Sequence, residues 1–255
     1  MSTSDVVVRL RAAGCVFAED EAALLVDAAR TPAELADMVD RRADGLPLEH
    51  VLGWVEFCGL RIAVDPGVFV PRQRTELLVR RAASLAPARP VVLDLCCGSG
   101  ALGVVLATLL ADVELHAADL EPAAVRCARR NVEPLGGHVY EGDLFRPLPA
   151  GLRGRVDILV ANTPYVPTDA IGLMPPEARI HEPAVALDGG ADGLDVVRRV
   201  AAAAGDWLAP GGSLFVETSE QQLPTAVEAF AGNGLTPSVA SSDELGATVV
   251  IGTRR

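Results

Sequence analysis

From residue 90 to the C-terminus, short apolar segments alternate with segments whose apolar residues recur at helical spacing. Strands joined by helices are typical of a mostly parallel sheet that is covered on both faces. The predicted strands cover residues 91–95, 113–118, 138–141, 156–161, 213–217, 237–240 and 248–252. The predicted helices cover residues 100–110, 122–131, 193–208 and 222–230. No helix separates the last two strands, which indicates an antiparallel hairpin at the edge of the sheet.

Residues 1–50 have a helical pattern and no strand signal. Apolar positions recur at helical spacing in residues 6–13 and 22–29. A third helix is predicted to begin after Thr31, because a hydroxyl here and Glu34 three residues later have the spacing of a capping box. We therefore expect a small helical N-terminal domain.

The next segment, residues 51–72, alternates in a way that predicts a β-hairpin with strands at 54–57 and 60–64. This hairpin would link the helical domain to a catalytic domain over residues 73–255. The catalytic domain would open with a helix from about residue 75 to 86, for which Thr75 is a candidate N-cap.

The charge of the chain argues against a nucleic-acid partner. The sequence has 34 acidic and 22 basic residues, which gives a formal net charge of −12. Binding to nucleic-acid phosphates requires clustered basic side chains. An acidic enzyme remains compatible with a basic protein partner, such as a ribosomal protein or a translation factor.

The five cysteines show neither a disulfide framework nor the spacing of a zinc site, so we expect no metal. The longest apolar run is too short to span a bilayer, and the N-terminus lacks the pattern of a secretory signal. These observations predict a cytoplasmic protein without a membrane partner.

A glycine-rich turn follows the strand predicted at 91–95. Residues 98–103 match the GxGxxG pattern, in which glycines let the backbone approach a ligand at a helix N-terminus. Taken alone, this pattern leaves a dinucleotide such as NAD open. The turn supplies the candidate cofactor-binding residues Asp94, Cys96, Cys97, Gly98, Ser99 and Gly100.

Acidic residues stand at the carboxyl ends of three successive strands, where α/β sheets bind ligands. Asp94 would pair with a cation such as the amino acid end of S-adenosylmethionine. Asp119, followed by Leu120, would accept the ribose hydroxyls or instead cap the next helix. Asp143 would accept from the adenine amino group beside Leu144. Together these positions predict S-adenosylmethionine as the cofactor.

The strand at 156–161 ends in Asn162, Thr163, Pro164 and Tyr165. The side-chain oxygen of Asn162 and the carbonyl of Thr163 can accept the two N–H groups of a planar amide or aromatic amine. Both acceptors strengthen their hold as positive charge grows on that nitrogen, so they favour the transition state. Tyr165 offers a flat face that aligns the planar group with a methyl donor. We therefore predict that Asn162 and Tyr165 are catalytic and that all four residues bind the substrate, with Asn162 also near the cofactor.

These motifs resemble the PrmC/HemK family of protein-(glutamine-N5) methyltransferases over almost the whole chain. The resemblance is carried by the segments GLPLEHVLGWVEF (45–57), VFVPRQRTELLV (68–79), VLDLCCGSGALG (92–103), EGDLFRPL (141–148), DILVANTPYVP (157–167) and EPAVALDGGADGLDVVRR (182–199). It implies a class I S-adenosylmethionine-dependent methyltransferase fold, a Rossmann-like α/β architecture with a seven-stranded, mostly parallel sheet and a small N-terminal helical domain.

The resemblance also implies a substrate, namely a glutamine side chain in a protein, such as the GGQ glutamine of a peptide chain release factor. The N-terminal helices would recognise that protein. Arg72 would bind the substrate, and Arg72 and Glu76 would lie near the cofactor cleft.

Two departures and several alternatives accompany this interpretation. The family's usual turn is Asn-Pro-Pro-Tyr, and Thr163 replaces the first proline, which indicates a related branch. Cys96 and Cys97 stand where the family often has Gly-Thr. The alternatives are methyl transfer to a nucleobase amine or a small-molecule amine, an NAD-dependent oxidoreductase, and a binding protein with an inactive cofactor site.

Overall fold

The computed structural model describes residues 1–255 and contains eleven α-helices and nine β-strands. In chain order, helices α1 to α11 span Thr3–Ala12, Ala18–Ala28, Pro32–Ala43, Leu48–Leu52, Glu76–Leu85, Ala101–Leu109, Pro122–Val132, Pro176–His181, Ala184–Leu187, Asp195–Trp207 and Leu223–Gly232. Strands β1 to β9 span Trp54–Phe57, Leu60–Ala63, Val91–Leu95, Glu114–Asp119, His138–Glu141, Val156–Ala161, Leu208–Thr218, Leu235–Ser242 and Ala247–Arg254. No helix is both long and apolar enough to cross a membrane.

Helices α1 to α4 pack around a small core of their own, in which Val6, Leu10 and Leu25 are fully buried. The predicted helices of residues 1–50 are therefore present. Helix α4 was not predicted, because Gly45 and Pro47 just before it are residues that usually interrupt helices. The proline precedes the first turn of α4, where the missing N–H costs nothing because the first amides of a helix have no intrahelical partner.

The N-terminus of α3 differs in one detail from the predicted capping box. The Thr31 hydroxyl accepts from the Glu34 amide at 3.1 Å, as expected. The Glu34 carboxylate accepts from the amide of Arg30 at 2.9 Å instead of from Thr31. The exposed Arg30 guanidinium also binds this carboxylate at 2.9 Å, which draws it one residue further back.

Strands β1 and β2 form the predicted antiparallel hairpin, in which Trp54 pairs with Ala63 and Phe57 with Leu60. Thr75 is the N-cap residue of α5 by position, as predicted, but it does not cap the helix through its side chain. Thr75 ends a short 3-10 helix that begins at Gln73, and its side chain makes no capping hydrogen bond. The Thr75 hydroxyl instead donates to the carboxylate of Glu217 in β7. This partner is 142 residues away, so the local sequence does not reveal it.

The main sheet has seven strands in the order β5-β4-β3-β6-β7-β9-β8. Strands β3 to β7 pair in parallel, whereas β9 runs antiparallel to both β7 and β8. This arrangement confirms the predicted mostly parallel sheet and its antiparallel hairpin at one edge. Strand order reverses on either side of β3 and β6, so their carboxyl ends form the crevice in which such sheets bind ligands.

Strand β7 begins five residues earlier than predicted, at Leu208 rather than Ser213. Pro210, Gly211 and Gly212 are typical turn residues, and Gly211 has a φ of +82°. The chain instead bulges at this point, since the partners shift from Val156–Leu208 to Ile158–Ser213. Beyond the bulge, β7 pairs with β6 without a further shift, from Ile158–Ser213 to Ala161–Val216.

Apolar side chains cover both faces of the sheet. Val92 and Val160 belong to the core beneath α5, α6 and α7. Leu93 and Leu159 belong to the core beneath α10 and α11. Each fully buried aliphatic side chain stabilises the fold by roughly 1.5–3 kcal/mol. The two cores hold the strand ends rigidly, so the loops that follow them have fixed starting points.

Candidate active site

A cavity of about 1130 Å³, counted to its open mouth, lies at the carboxyl ends of β3 to β6. Most of its wall comes from the residues that follow these strands, as the sequence predicted. Three further segments that the sequence analysis did not place at the site complete the lining with Val68, Phe69, Pro71, Pro183, Val185, Ala186, Asp188, Val196 and Arg199. These residues belong to elements that the fold brings to the cavity from far along the chain.

The glycine-rich turn places Cys96, Cys97, Gly98 and Ser99 in the cavity wall. Cys96 and Gly98 have φ angles of +53° and +55°, the left-handed region that lets the turn close tightly. Burial raises the pKa of both thiols above the ordinary range, so neither is a ready nucleophile. The Ser99 hydroxyl is buried and has no hydrogen-bond partner.

Two residues predicted to bind the cofactor, Gly100 and Asp94, do not line the cavity. Gly100 is the N-cap of α6 with a φ of +77°, and a Cβ on it would lie 2.8 Å from Val132. Asp94 is 1% exposed and lies behind the turn. Its side chain points to the face of the sheet beneath α6, a direction that follows from strand alternation and not from its place at the strand end.

Asp119 and Leu120 line the cavity after β4, as predicted. Asp119 Oδ2 accepts from the Gly98 amide at 2.8 Å, and Oδ1 accepts from the Glu121 amide at 2.9 Å. Burial raises the pKa of Asp119 while these amides oppose the rise. The alternative role as helix cap is wrong, because the N-cap of α7 is Glu121. Each oxygen of Asp119 retains acceptor capacity for a ligand hydroxyl.

Asp143 and Leu144 line the cavity after β5. Both oxygens of Asp143 accept from Nη2 of Arg199 at 2.7 Å. Arg199 lies on α10 and also lines the cavity, a place that the predicted helix at 193–208 did not reveal. Leu144 has a φ of +51°, a conformation that costs a non-glycine residue free energy and turns its side chain toward the site.

Asn162, Thr163, Pro164 and Tyr165 line the cavity after β6. The Oδ1 atom of Asn162 is buried and accepts no hydrogen bond. No backbone amide of a turn or loop donates to the Thr163 carbonyl. The Thr163 hydroxyl is also buried without a partner. The turn therefore presents unpaired acceptors in a region sheltered from water, where an unsatisfied polar group is costly.

Tyr165 is connected to three residues by polar contacts that the sequence analysis did not find. Its hydroxyl accepts from the Arg74 guanidinium. Arg74 Nε also donates to Glu217 Oε1 at 2.6 Å, and the Thr75 hydroxyl donates to Glu217 Oε2 at 2.7 Å. Burial raises the pKa of the Tyr165 hydroxyl, so it stays neutral at physiological pH. Only the position of Arg74 and Thr75 in the segment 68–79 was a sequence signal for this cluster.

A second cavity of about 950 Å³, also counted to its open mouth, lies beside Tyr165. Phe69, Tyr165 and Ala186 line both cavities and form the wall between them. Pro47 and Glu49 of the helical domain contribute to the second cavity, as do Arg72, Arg74 and Glu177. It therefore opens between the helical domain and the catalytic domain.

Neither Arg72 nor Glu76 lines the cofactor cavity itself, although Pro71, beside Arg72, does. Arg72 lines the second cavity, and its Nη2 donates to both oxygens of buried Glu182 at 2.7 Å. Glu76 lines neither cavity and pairs with Arg80 along α5 at 2.7 Å.

Comparison with known proteins gives a consistent result. The family model of the methyltransferase small domain matches residues 59–187. The release factor glutamine methyltransferase of Geobacter sulfurreducens is 41% identical over 228 residues, which cover 88% of this chain and 79% of that protein. The chain belongs to the release factor glutamine methyltransferase family. The enzyme of that name from Mycobacterium tuberculosis is 39% identical over 215 residues, covering 82% of this chain and 70% of that protein.

The family predicted from the motifs is thus confirmed. A methyltransferase from Pyrococcus furiosus has a crystal structure that matches with a TM-score of 0.58 at 17% identity, covering 77% of this chain and 90% of that one. At this identity the match concerns the fold alone, which is the class I methyltransferase fold. The chain is accordingly an S-adenosylmethionine-dependent methyltransferase.

The cavity has the chemistry that this cofactor requires. Two carboxylates, from Asp119 and Asp143, stand beside the apolar side chains of Leu120 and Leu144. Carboxylates can accept hydrogen bonds from ribose hydroxyls and from the adenine amino group, and apolar side chains can pack against the adenine ring. Gly98 has no side chain, so the rest of the cofactor can approach its backbone closely.

Proposed function

We propose that this enzyme methylates the side-chain amide nitrogen of a glutamine in a translation release factor, with the glutamine of the GGQ motif as acceptor. The observation that carries the proposal is the Oδ1 atom of Asn162, which is buried at the cavity wall without a hydrogen-bond partner. Relatives named release factor glutamine methyltransferase supply the choice of a release factor.

An amide nitrogen is a poor nucleophile because its lone pair is delocalised into the carbonyl. Asn162 Oδ1 would accept one of its N–H groups and the Thr163 carbonyl the other. As the nitrogen gains positive charge, both acceptors bind it more strongly, which lowers the barrier. The proton leaves after methyl transfer, so no basic side chain is required beside the nitrogen.

S-adenosylmethionine, when bound, supplies an electrophilic methyl group attached to a sulfonium. The chain would hold it with the turn at Cys96 to Ser99, with Asp119 and Leu120, and with Asp143 and Leu144. Asp94 and Gly100 would act indirectly, by supporting the turn. Tyr165 would present its ring face to the amide and limit the directions from which the nitrogen approaches.

The second cavity offers a path for the glutamine side chain. It opens at the helical domain and shares the wall of Phe69, Tyr165 and Ala186 with the cofactor cavity. We propose that residues 1–50 recognise the release factor and that its glutamine reaches Asn162 through this opening. Arg72 would act there mainly through its pair with Glu182, which leaves part of the guanidinium facing the cavity. Methylation of a release factor would place the enzyme in the cytoplasm.

The test is incubation of the purified enzyme with labelled S-adenosylmethionine and a release factor, followed by mass spectrometry of the digested acceptor. The expected product carries one methyl group on the GGQ glutamine. The matched control is the same release factor with that glutamine replaced by asparagine, which should remain unlabelled. Label in ribosomal RNA or in a free amine, with an unlabelled release factor, would replace this proposal with one of the other N-methyltransferase activities.

A further inference from the structure

The orientation of Tyr165 is set by contacts from outside its own turn. The Thr163 side chain contributes little to this orientation, because its hydroxyl has no hydrogen-bond partner. The Tyr165 carbonyl accepts from Gln222 Nε2 at 2.9 Å, and its hydroxyl accepts from Arg74. The ring lies in the wall between the two cavities, so a change in its orientation would alter both.

Arg74 is itself held in one geometry. Its Nε donates to Glu217 at 2.6 Å, and the Glu217 side chain is only 6% exposed. The Thr75 hydroxyl fixes the second oxygen of that carboxylate at 2.7 Å. The guanidinium carbon lies 5.3 Å from the centroid of the Tyr165 ring. A planar guanidinium with several donors keeps a fixed relation between the groups that it joins.

We propose that Arg74 is a positioning residue for methyl transfer. Its guanidinium holds the Tyr165 ring in place, and Glu217 neutralises the positive charge of that guanidinium. The proposal rests on the proposed function of the site. The neutralisation is needed because the reacting nitrogen becomes positive. An unpaired guanidinium beside the Tyr165 ring would repel that charge.

The experiment compares Arg74→Ala with the wild-type enzyme. We expect kcat for release factor methylation to fall by about 10- to 100-fold, the range that a small misplacement of reacting groups produces. Kd for S-adenosylhomocysteine should stay within roughly twofold, because Arg74 does not line the cofactor cavity. Arg74 does line the second cavity, so KM for the release factor can rise, but we expect the loss to fall mainly on kcat. Arg80→Ala is the matched control, since Arg80 pairs with Glu76 on the exposed side of α5.

Two further variants separate positioning from a general structural role. In a Tyr165→Phe background, which lacks the hydroxyl that Arg74 holds, Arg74→Ala should cost much less than it does in the wild type. Arg74→Lys keeps the charge but not the planar fork, so it should recover only part of kcat. An undiminished loss in the Tyr165→Phe background, or a loss that falls mainly on Kd, would overturn the proposal.

One measurement is independent of catalysis. In a Tyr140→Phe background, Tyr165 is the single tyrosine, and NMR of its ring carbons reports its orientation and ionisation. The positive charge of Arg74 lowers the pKa of the Tyr165 hydroxyl against the rise caused by burial. Arg74→Ala should therefore raise this pKa and shift the ring signals. Unchanged signals would overturn the proposal even for an enzyme that proves to methylate a different acceptor.

Discussion

Asp94 caps helix α6 from the strand beneath it, because its Oδ2 accepts from the amide of Gly103 at 2.9 Å. The N-cap residue of this helix is Gly100, which has no side chain to satisfy the first amides. The other carboxylate oxygen, Oδ1, is buried without a partner. Asp94 therefore stabilises the start of α6 and the glycine-rich turn, although it does not face the cavity.

This burial predicts an unusual pH dependence of stability. Burial raises the pKa of Asp94 from 3.8 to about 8. Between these values the native state binds a proton that the unfolded state has lost, so stability falls as the pH rises through this window. The side chain introduced by Asp94→Asn cannot ionise, so the free energy of unfolding of this variant should depend less on pH. Urea unfolding across the same pH range measures this dependence. Exposed Asp243→Asn is the control and should keep the wild-type dependence; an unaltered slope in Asp94→Asn would contradict the assignment.

Asn162→Ala removes the side-chain acceptor proposed for the substrate amide. We expect kcat to fall by about a hundredfold or more, the scale seen when one preorganised hydrogen bond to a developing charge is lost. Kd for S-adenosylhomocysteine, measured by calorimetry, should change little. Asn233→Ala, on the exposed end of α11, should leave both quantities unchanged. Equal losses in kcat and cofactor affinity for Asn162→Ala would argue against the proposed role.

Thr163→Val tests the residue that departs from the family's usual proline. The Thr163 hydroxyl is buried without a partner, and valine has nearly the same shape without that polar group. We expect the free energy of unfolding to rise by about 1 kcal/mol, with activity retained because the backbone carbonyl is unchanged. Thr163→Ser keeps the hydroxyl and should not gain stability. A loss of activity in Thr163→Val would indicate that the hydroxyl binds the substrate or the cofactor.

Arg72→Ala separates a structural role from a substrate-binding role. Glu182, whose side chain is 1% exposed, would lose its charged partner, and breaking such a pair costs about 3 kcal/mol. Burial already raises the pKa of Glu182 and Arg72 opposes the rise, so the variant should raise it further. The stability loss should accordingly be largest at neutral pH and smaller at acid pH, where Glu182 is protonated. Exposed Arg81→Ala should show neither effect in thermal unfolding at the two pH values.

Phe17→Ser tests recognition by the helical domain, since Phe17 is 69% exposed. We expect KM for the whole release factor to rise roughly fivefold, the effect of about 1 kcal/mol of lost contact. KM for a short glutamine peptide should not change. Leu109→Ser, at the far end of α6 from the site, is the control. Equal KM values for wild type and Phe17→Ser would place recognition on another surface.

The strands of the sheet were predictable because their sequences are almost continuously apolar. The bounds of β3, β5 and β6 match the predicted residues 91–95, 138–141 and 156–161. The predicted strand began only at Ser213, and the residues just before it, Pro210 and Gly211, are turn formers in most contexts. Its pairing with β6 overrides this local preference through a bulge, which depends on a neighbour far away in sequence.

The residues that follow strand ends were predictable as a group for a similar reason. Parallel strands bring their carboxyl ends to one edge, so Cys96, Asp119, Asp143 and Asn162 line one cavity. The role of Asp94 was not predictable in this way. Its side chain lies on the opposite side of the turn, and the alternation of β3 decides that direction.

The sequence by itself determined the parallel sheet, the glycine-rich turn, the polar turn after β6 and the methyltransferase family. Each of these features follows from residues that are close together in the sequence. Only the tertiary structure decided which charged groups meet, as in Arg199–Asp143, Arg74–Tyr165 and Arg72–Glu182, which join residues 56, 91 and 110 positions apart. The physical reason is that a side chain's long-range partner depends on how whole helices and strands pack against one another, and local propensity does not determine that packing.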